Sequence, residues 1–225
     1  MEFLEELYMA FNHKDAGNSV FIVVDGIDGS GKSEIVKMLH NYLFSKNKGY
    51  RILTTREPTN GTYGNQIRRM LEEEKAPAAN SKKLMELFIK DRKQHLSSTI
   101  APFLKSSNKY ELNIVLCDRY YYSTMAFQCA QGLNIKNIID KNKKFRKPNI
   151  AFILDAEPSI ALKRIEYRKK EKFEQLEFMK KIREIFLTLP KLLSDNLKVI
   201  DSSRPLNEVF EDVKKEVDRK LEKNL

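Results

Sequence analysis

The sequence predicts an α/β protein, with a five-stranded parallel sheet flanked by helices on both faces. Three observations carry that expectation. Five short apolar runs rich in β-branched residues alternate with longer stretches of helical periodicity. Several runs are apolar with hardly a break, as in strands buried on both faces. Four of the five end in or abut a polar residue at their C-terminal side, namely Asp25, Thr55, Asp118 and Asp155. That edge is where open α/β sheets bind ligands, and strand-then-helix alternation calls for parallel strands covered by helices.

Taken in order, residues 1–18 precede the first run and read as an N-terminal extension of unassigned role. The opening MEFLEELYMAF mixes acids with apolar residues and lacks the basic start of a signal peptide. The predicted strands are Val20–Asp25, Arg51–Thr55, Leu112–Asp118, Ile150–Asp155 and Leu197–Asp201. Between them Ile35, Val36, Leu39, Tyr42 and Leu43 recur at helical spacing, as do Leu84, Leu87 and Phe88, and later Ile182, Ile185, Phe186 and Leu189. Residues 19–225 read as a single domain without internal repeat or low-complexity linker, long enough for one good core and short for two.

Hydrophobic residues make up 41% of the 225 residues and aromatics 10%, a globular composition. No apolar run approaches the roughly 18 residues needed to cross a bilayer, so no membrane association is expected. Cys117 and Cys129 stand in apolar or small-residue surroundings and read as small buried hydrophobes, which suits a reducing cytoplasm. His13, His40 and His95 are scattered; they suggest neither a Ser-His-Asp arrangement nor a structural zinc site. The net charge of +10 suits a polyanionic partner, either nucleotide or nucleic acid. The basic stretches Lys141 to Lys147 and Lys169 to Lys172 lack alternating aromatics and read equally as solvated surface, so no stable nucleic-acid partner is expected.

The segment Gly26-Ile27-Asp28-Gly29-Ser30-Gly31-Lys32-Ser33 fits a Walker A loop between a predicted strand and a predicted helix, and makes the expected architecture a P-loop NTPase fold. Glycines let the backbone wrap phosphate oxygens, and the helix N-terminus adds partial positive charge. Gly26, Asp28, Gly29, Ser30, Gly31, Lys32 and Ser33 are therefore expected to hold ATP, with Lys32 on the β- and γ-phosphates and Ser33 on Mg²⁺. GTPases, ATPases and kinases all use such a loop.

Further segments narrow the choice. Phe88 and Arg92 are four apart on a predicted helix and share a face, as would suit stacking on a flat base and donation to its carbonyl. On spacing alone, a core phenylalanine beside a surface arginine is the alternative. Arg119, at the end of the third strand, suits a charge-assisted phosphate contact, or a structural pair with Asp118.

Arg56-Glu57-Pro58, Leu87-Phe88-Ile89-Lys90-Asp91-Arg92 and Asp118-Arg119-Tyr120-Tyr121-Tyr122-Ser123-Thr124-Met125-Ala126-Phe127-Gln128 follow one another behind a P-loop with an internal acid. In that order and spacing, from about Val20 to the C-terminal helix, the sequence resembles the thymidylate kinase family of P-loop nucleoside monophosphate kinases.

The resemblance implies Mg²⁺-dependent transfer of the ATP γ-phosphate to dTMP by a cytoplasmic homodimer. It implies that Phe88 stacks on thymine, Arg92 reaches its O4, and Arg68 with Arg119 holds the acceptor 5′-phosphate. Asp28 would meet the sugar 3′-hydroxyl. Glu57, Ser123, Thr124, Phe127 and Gln128 would complete the acceptor pocket, and Asp118 would organise Mg²⁺ through water. Phe127 departs from the family's usual tyrosine and loses a hydroxyl near the sugar. The P-loop carries no internal basic residue, so a catalytic cation besides Lys32 and Arg119 is expected from a lid around residues 164–173. Arg168 is the first candidate, followed by Arg164 and then Lys169 or Lys170. The rival functions are a deoxynucleoside kinase and a non-catalytic P-loop protein binding nucleotide or nucleic acid.

Overall fold

The protein is described from a computed structural model covering residues 19–73, 80–105, 110–165 and 172–222. The N-terminal extension lies outside the described residues. Five strands form one all-parallel sheet in the order β2-β3-β1-β4-β5: β1 (Ser19–Gly26), β2 (Tyr50–Arg56), β3 (Leu112–Asp118), β4 (Ile150–Asp155) and β5 (Leu197–Asp201). Class, strand count and strand positions agree with the sequence reading, with β1 and β2 one residue longer at each end.

Strand composition follows position in the sheet. β1 and β3 are buried along their whole length, and their runs VFIVVD and LNIVLCD are nearly continuous in apolar character. The edge strands β2 and β5 carry Arg51, Thr54, Lys198 and other polar residues, and are only partly buried. Along β1 the side chains alternate between faces. Val20, Ile22 and Val24 meet Ile35, Leu39 and Leu43 of α1 (Lys32–Lys46) and Val213 and Val217 of α9 (Leu206–Glu222). Phe21 and Val23 belong to the opposite core, with Met125 of α5 (Tyr121–Ala130) and Ile182 and Phe186 of α8 (Lys172–Leu192).

That second face is completed by α2 (Thr62–Glu73), α3 (Ser81–His95), α4 (Ala101–Lys105), α6 (Ile135–Asn142) and α7 (Pro158–Arg164). A π-helical turn, Leu96–Ile100, joins α3 to α4, its Ala101 N–H donating to the Leu96 carbonyl. Cys117 is fully buried in this core, and burial, with Glu57 next, pushes its thiol well above the ordinary range; Cys129 packs at the rim. Among the described residues no helix is long and apolar enough to cross a membrane.

Candidate active site

The carboxyl edges of β1 and β3 meet at one carboxylate. Asp25 is fully buried at the end of β1, on the α5 side of the sheet. Its Oδ1 accepts from Gly26 N–H (2.9 Å) and the Ser123 hydroxyl (2.5 Å); its Oδ2 accepts from Tyr120 N–H (3.0 Å) and Ser123 N–H (2.9 Å). Asp25 thus caps α5 from another strand, satisfying amides that a helix N-terminus leaves unpaired and placing negative charge at its positive end. Burial pushes its carboxyl up from the ordinary range, while Arg119, the Ser123 hydroxyl and the Tyr120 and Gly26 amides pull it back.

Gly26 follows with φ 141°, and a Cβ there would stand 2.6 Å from the Leu154 carbonyl oxygen. Gly29 has φ 77°, and a Cβ there would collide with the Ala161 carbonyl. Both need glycine, for backbone conformation and for close approach. Lys32 is buried at the start of α1, its Nζ donating to the Ile27 carbonyl at 2.7 Å. Burial, and then the neighbouring Arg119 charge, pushes its ammonium down to about 8. The buried Ser30 hydroxyl has no hydrogen-bond partner among the described residues. A buried ammonium and an orphaned hydroxyl in a loop wound around glycines fit an incoming polyphosphate.

Ser33 Oγ donates to Asp118 Oδ2 at 2.6 Å, while Asp118 Oδ1 is buried without a partner among the described residues. A hydroxyl and a carboxylate with an unused oxygen are the donor set of a hard cation such as Mg²⁺. Asp118 and Arg119 do not pair. Arg119 instead turns back with φ 72°, a left-handed conformation uncommon for a side-chain-bearing residue. Its Nη1 donates to Ser123 Oγ (2.9 Å) and Nη2 to Asp28 Oδ1 (2.5 Å), and its Cζ lies 5.6 Å from the Phe127 ring centroid. Loop acid, strand-end arginine and the Phe127 ring are therefore together.

The rest of the acceptor set falls into two groups. Phe88 is part-buried against Ile67, Leu84 and Leu87. Arg92 is the larger surprise, because it has no exposed surface. The alternative of a core phenylalanine beside a surface arginine is thus reversed in depth. Arg92 Nε (2.9 Å) and Nη2 (2.8 Å) meet Glu57 Oε2, Nη1 meets Asn142 Oδ1 (2.7 Å), and Nη2 also meets Thr124 Oγ1 (2.9 Å). Gln128 is 1% exposed; its Nε2 donates to Gln131 Oε1 at 2.8 Å, and its own Oε1 has no partner among the described residues. Arg68 is turned onto the carbonyls of Pro58 and Thr59, both at 2.7 Å, so it braces the turn after β2.

Of the lid candidates, Arg168, Lys169 and Lys170 lie outside the described residues. Arg164 lies within them and donates to the Ser202 carbonyl at 3.0 Å, tying α7 to the loop after β5.

Asp25, Arg56, Asp91, His95 and Asn142 were not singled out as functional from sequence. Arg56 lines a cavity of about 440 Å³ with Ser33, Thr55 and Asp118, and its guanidinium has no hydrogen bond or ion pair among the described residues. Asp91 accepts Thr59 N–H (2.8 Å) and its hydroxyl (2.6 Å), clamping the same turn as Arg68. One signal was available on α3. The buried positions Leu84, Met85 and Leu87 continue at helical spacing into Asp91, Arg92 and His95, so polar residues occupy an apolar face.

A glycine-wound loop around the buried Lys32, met by Arg119 from the end of β3, is the architecture of a P-loop phosphotransferase. Its relatives place it more narrowly. The thymidylate kinase family model matches residues 24–213, and the chain belongs to that family. A probable thymidylate kinase of Archaeoglobus fulgidus is 36% identical over 201 residues, covering 88% of this chain and 95% of the relative. The thymidylate kinase of Desulfotalea psychrophila is 36% identical over 171 residues, covering 75% of this chain and 80% of its own. The crystal structure of thymidylate kinase from Ehrlichia chaffeensis matches with a TM-score of 0.68 at 26% identity, covering 89% of this chain and 99% of that one.

Proposed function

We propose that this chain transfers the γ-phosphate of ATP to dTMP, giving dTDP and ADP. An oxygen of the acceptor 5′-phosphate attacks the γ-phosphorus, and the bond to the β–γ bridging oxygen breaks. Such transfer needs positioning and charge neutralisation more than covalent help. The observation that carries the reading is the contact of Arg119 with Asp28, because one guanidinium joins the P-loop to the end of β3 and, through Ser123, to α5. Arg119 and Lys32 flank the transferring group, and Arg68 with Arg56 completes the basic rim around the acceptor phosphate. Ser33 and Asp118 would hold Mg²⁺, which would supply charge neutralisation at the transferring phosphate. The lid supplies one more cation, Arg168 first among the candidates, and its closure excludes water.

On the base, Phe88 stacks, and Arg92 with Thr124 forms the wall facing O4. The orphaned Gln128 Oε1 is an acceptor suited to the N3–H of thymine. Cytosine, whose N3 accepts, leaves that oxygen unpaired and is disfavoured. Phe127 lies under Arg119 and offers the sugar no hydroxyl. Family resemblance supports a cytoplasmic homodimer without a lasting nucleic-acid partner.

The test is turnover across dTMP, dUMP, UMP, CMP and thymidine with Mg-ATP. The expected order has dTMP fastest, by at least about tenfold over CMP. Equal or faster turnover of thymidine would make the chain a nucleoside kinase. No turnover of any of them, with tight DNA or RNA binding, would make it a non-catalytic binding protein.

A further inference from the structure

We propose that His95 is a positioning residue for recognition of the acceptor base, acting through Glu57 on Arg92; the inference rests on the reading of Arg92 given above. Arg92 is a charge with no exposed surface, so its placement depends wholly on its partners. The rings of Tyr120, Tyr121 and Phe145 surround it, with centroids 5.2, 6.0 and 5.6 Å from Cζ. Asn142 is itself fixed. Its Nδ2 donates to the Ile138 carbonyl at 2.8 Å, which turns Oδ1 toward Arg92.

Glu57 makes an unusual contact. Arg92 Nε and Nη2 both converge on the single oxygen Oε2, rather than on both oxygens in the paired geometry arginine favours. The other oxygen, Oε1, is held by His95 Nδ1 at 3.1 Å. A carboxylate only accepts, so the hydrogen is on His95 Nδ1. Nε2 lies 2.7 Å from the Thr55 hydroxyl, which can serve it as either donor or acceptor. The groups facing His95 are thus Glu57, with Arg92 behind it, and Thr55.

Removing His95 frees Oε1 and lets the Glu57 carboxylate rotate into two-oxygen pairing with Arg92. The guanidinium would then shift from Thr124 and from the base wall. His95 never touches substrate in this scheme, and its effect is confined to acceptor recognition.

The experiment is steady-state kinetics with dTMP and with the deoxyribonucleotide of 5-methyl-2-pyrimidinone, which lacks both O4 and the N3–H assigned to Gln128, so that only a change caused by His95 is read on each. His95→Ala is expected to raise KM for dTMP about tenfold while kcat and the ATP KM stay within about threefold of the parent. KM for the O4-less analogue should not move. His95→Asn, whose amide N–H stands near the former Nδ1, should restore KM for dTMP to within about threefold. Thr55→Val should shift it in the same direction as His95→Ala, by less. His95→Asn and Thr55→Val carry the test if His95→Ala does not fold. An unchanged dTMP KM in folded His95→Ala, or equal losses with both acceptors, overturns the proposal. If Arg92→Lys leaves KM for dTMP unchanged, the reading of Arg92 fails instead.

Discussion

Arg119 Nη2 lies 2.5 Å from Asp28 Oδ1, so a residue at the end of β3 and one inside the P-loop form a single ion pair across the cleft. The pair is part-exposed, and its value is positional rather than stabilising. Arg119 holds this position with a backbone φ of 72°. Arg119→Gly and Arg119→Ala should both lower kcat/KM at least about 100-fold, through loss of the charge at the phosphates. Glycine is at ease in the left-handed region, so the Gly variant should be more stable than the Ala variant by about 1 kcal/mol in urea denaturation. Equal stabilities would show that the backbone at Arg119 is unstrained.

Asp25 ties the P-loop to α5 with four accepted hydrogen bonds, all buried. Asp25→Ala orphans those donors and should cost about 3 kcal/mol, measured as a fall in the urea midpoint at constant slope. A loss below about 1 kcal/mol would mean that water replaces the carboxylate.

Lys32 titrates at about 8, below its ordinary 10.5, because it is buried next to Arg119. The free native protein therefore binds fewer protons here than the unfolded chain between those two values, and its stability should rise with pH across that window. ATP binding needs the ammonium, so its Kd should rise about tenfold per pH unit above 8. Calorimetric titration of ATP from pH 7 to 9.5 reads this directly, and a flat profile would refute it. Lys32→Met should abolish transfer yet raise Tm by a few degrees, because a desolvated charge becomes an apolar side chain.

Asp118 shares its Oδ2 with Ser33 and keeps Oδ1 unpaired among the described residues. Asp118→Asn should raise the Mg²⁺ concentration for half-maximal rate about tenfold, with the ATP-analogue affinity in EDTA nearly unchanged. Loss of metal-free nucleotide binding would instead make Asp118 a scaffold of the P-loop.

The secondary structure was legible because it is written locally. VFIVVD, LNIVLCD and IAFILD are apolar enough to say that they are central strands, and the polar interruptions in RILTT and LKVID mark the two edges found in the sheet. The P-loop was legible for the same reason, since its chemistry lies within eight consecutive residues. Family resemblance assigned Phe88, Arg92, Arg119 and Gln128 to one acceptor site as an expectation, without their distances or depths.

By itself, then, the sequence determined the α/β class, the strand positions and the phosphate loop. Only the tertiary structure decided that Arg92 is a buried cation, that Asp28 rather than Asp118 is the partner of Arg119, and that Asp25 caps α5. Each of these relationships joins residues far apart in the chain, with a sequence separation of 35 for Arg92 and Glu57, 91 for Arg119 and Asp28, and 98 for Asp25 and Ser123. Periodicity reports which face of an element is covered. A polar side chain on that face is tolerated only if distant partners arrive to satisfy it, and strand order β2-β3-β1-β4-β5 is what brings them.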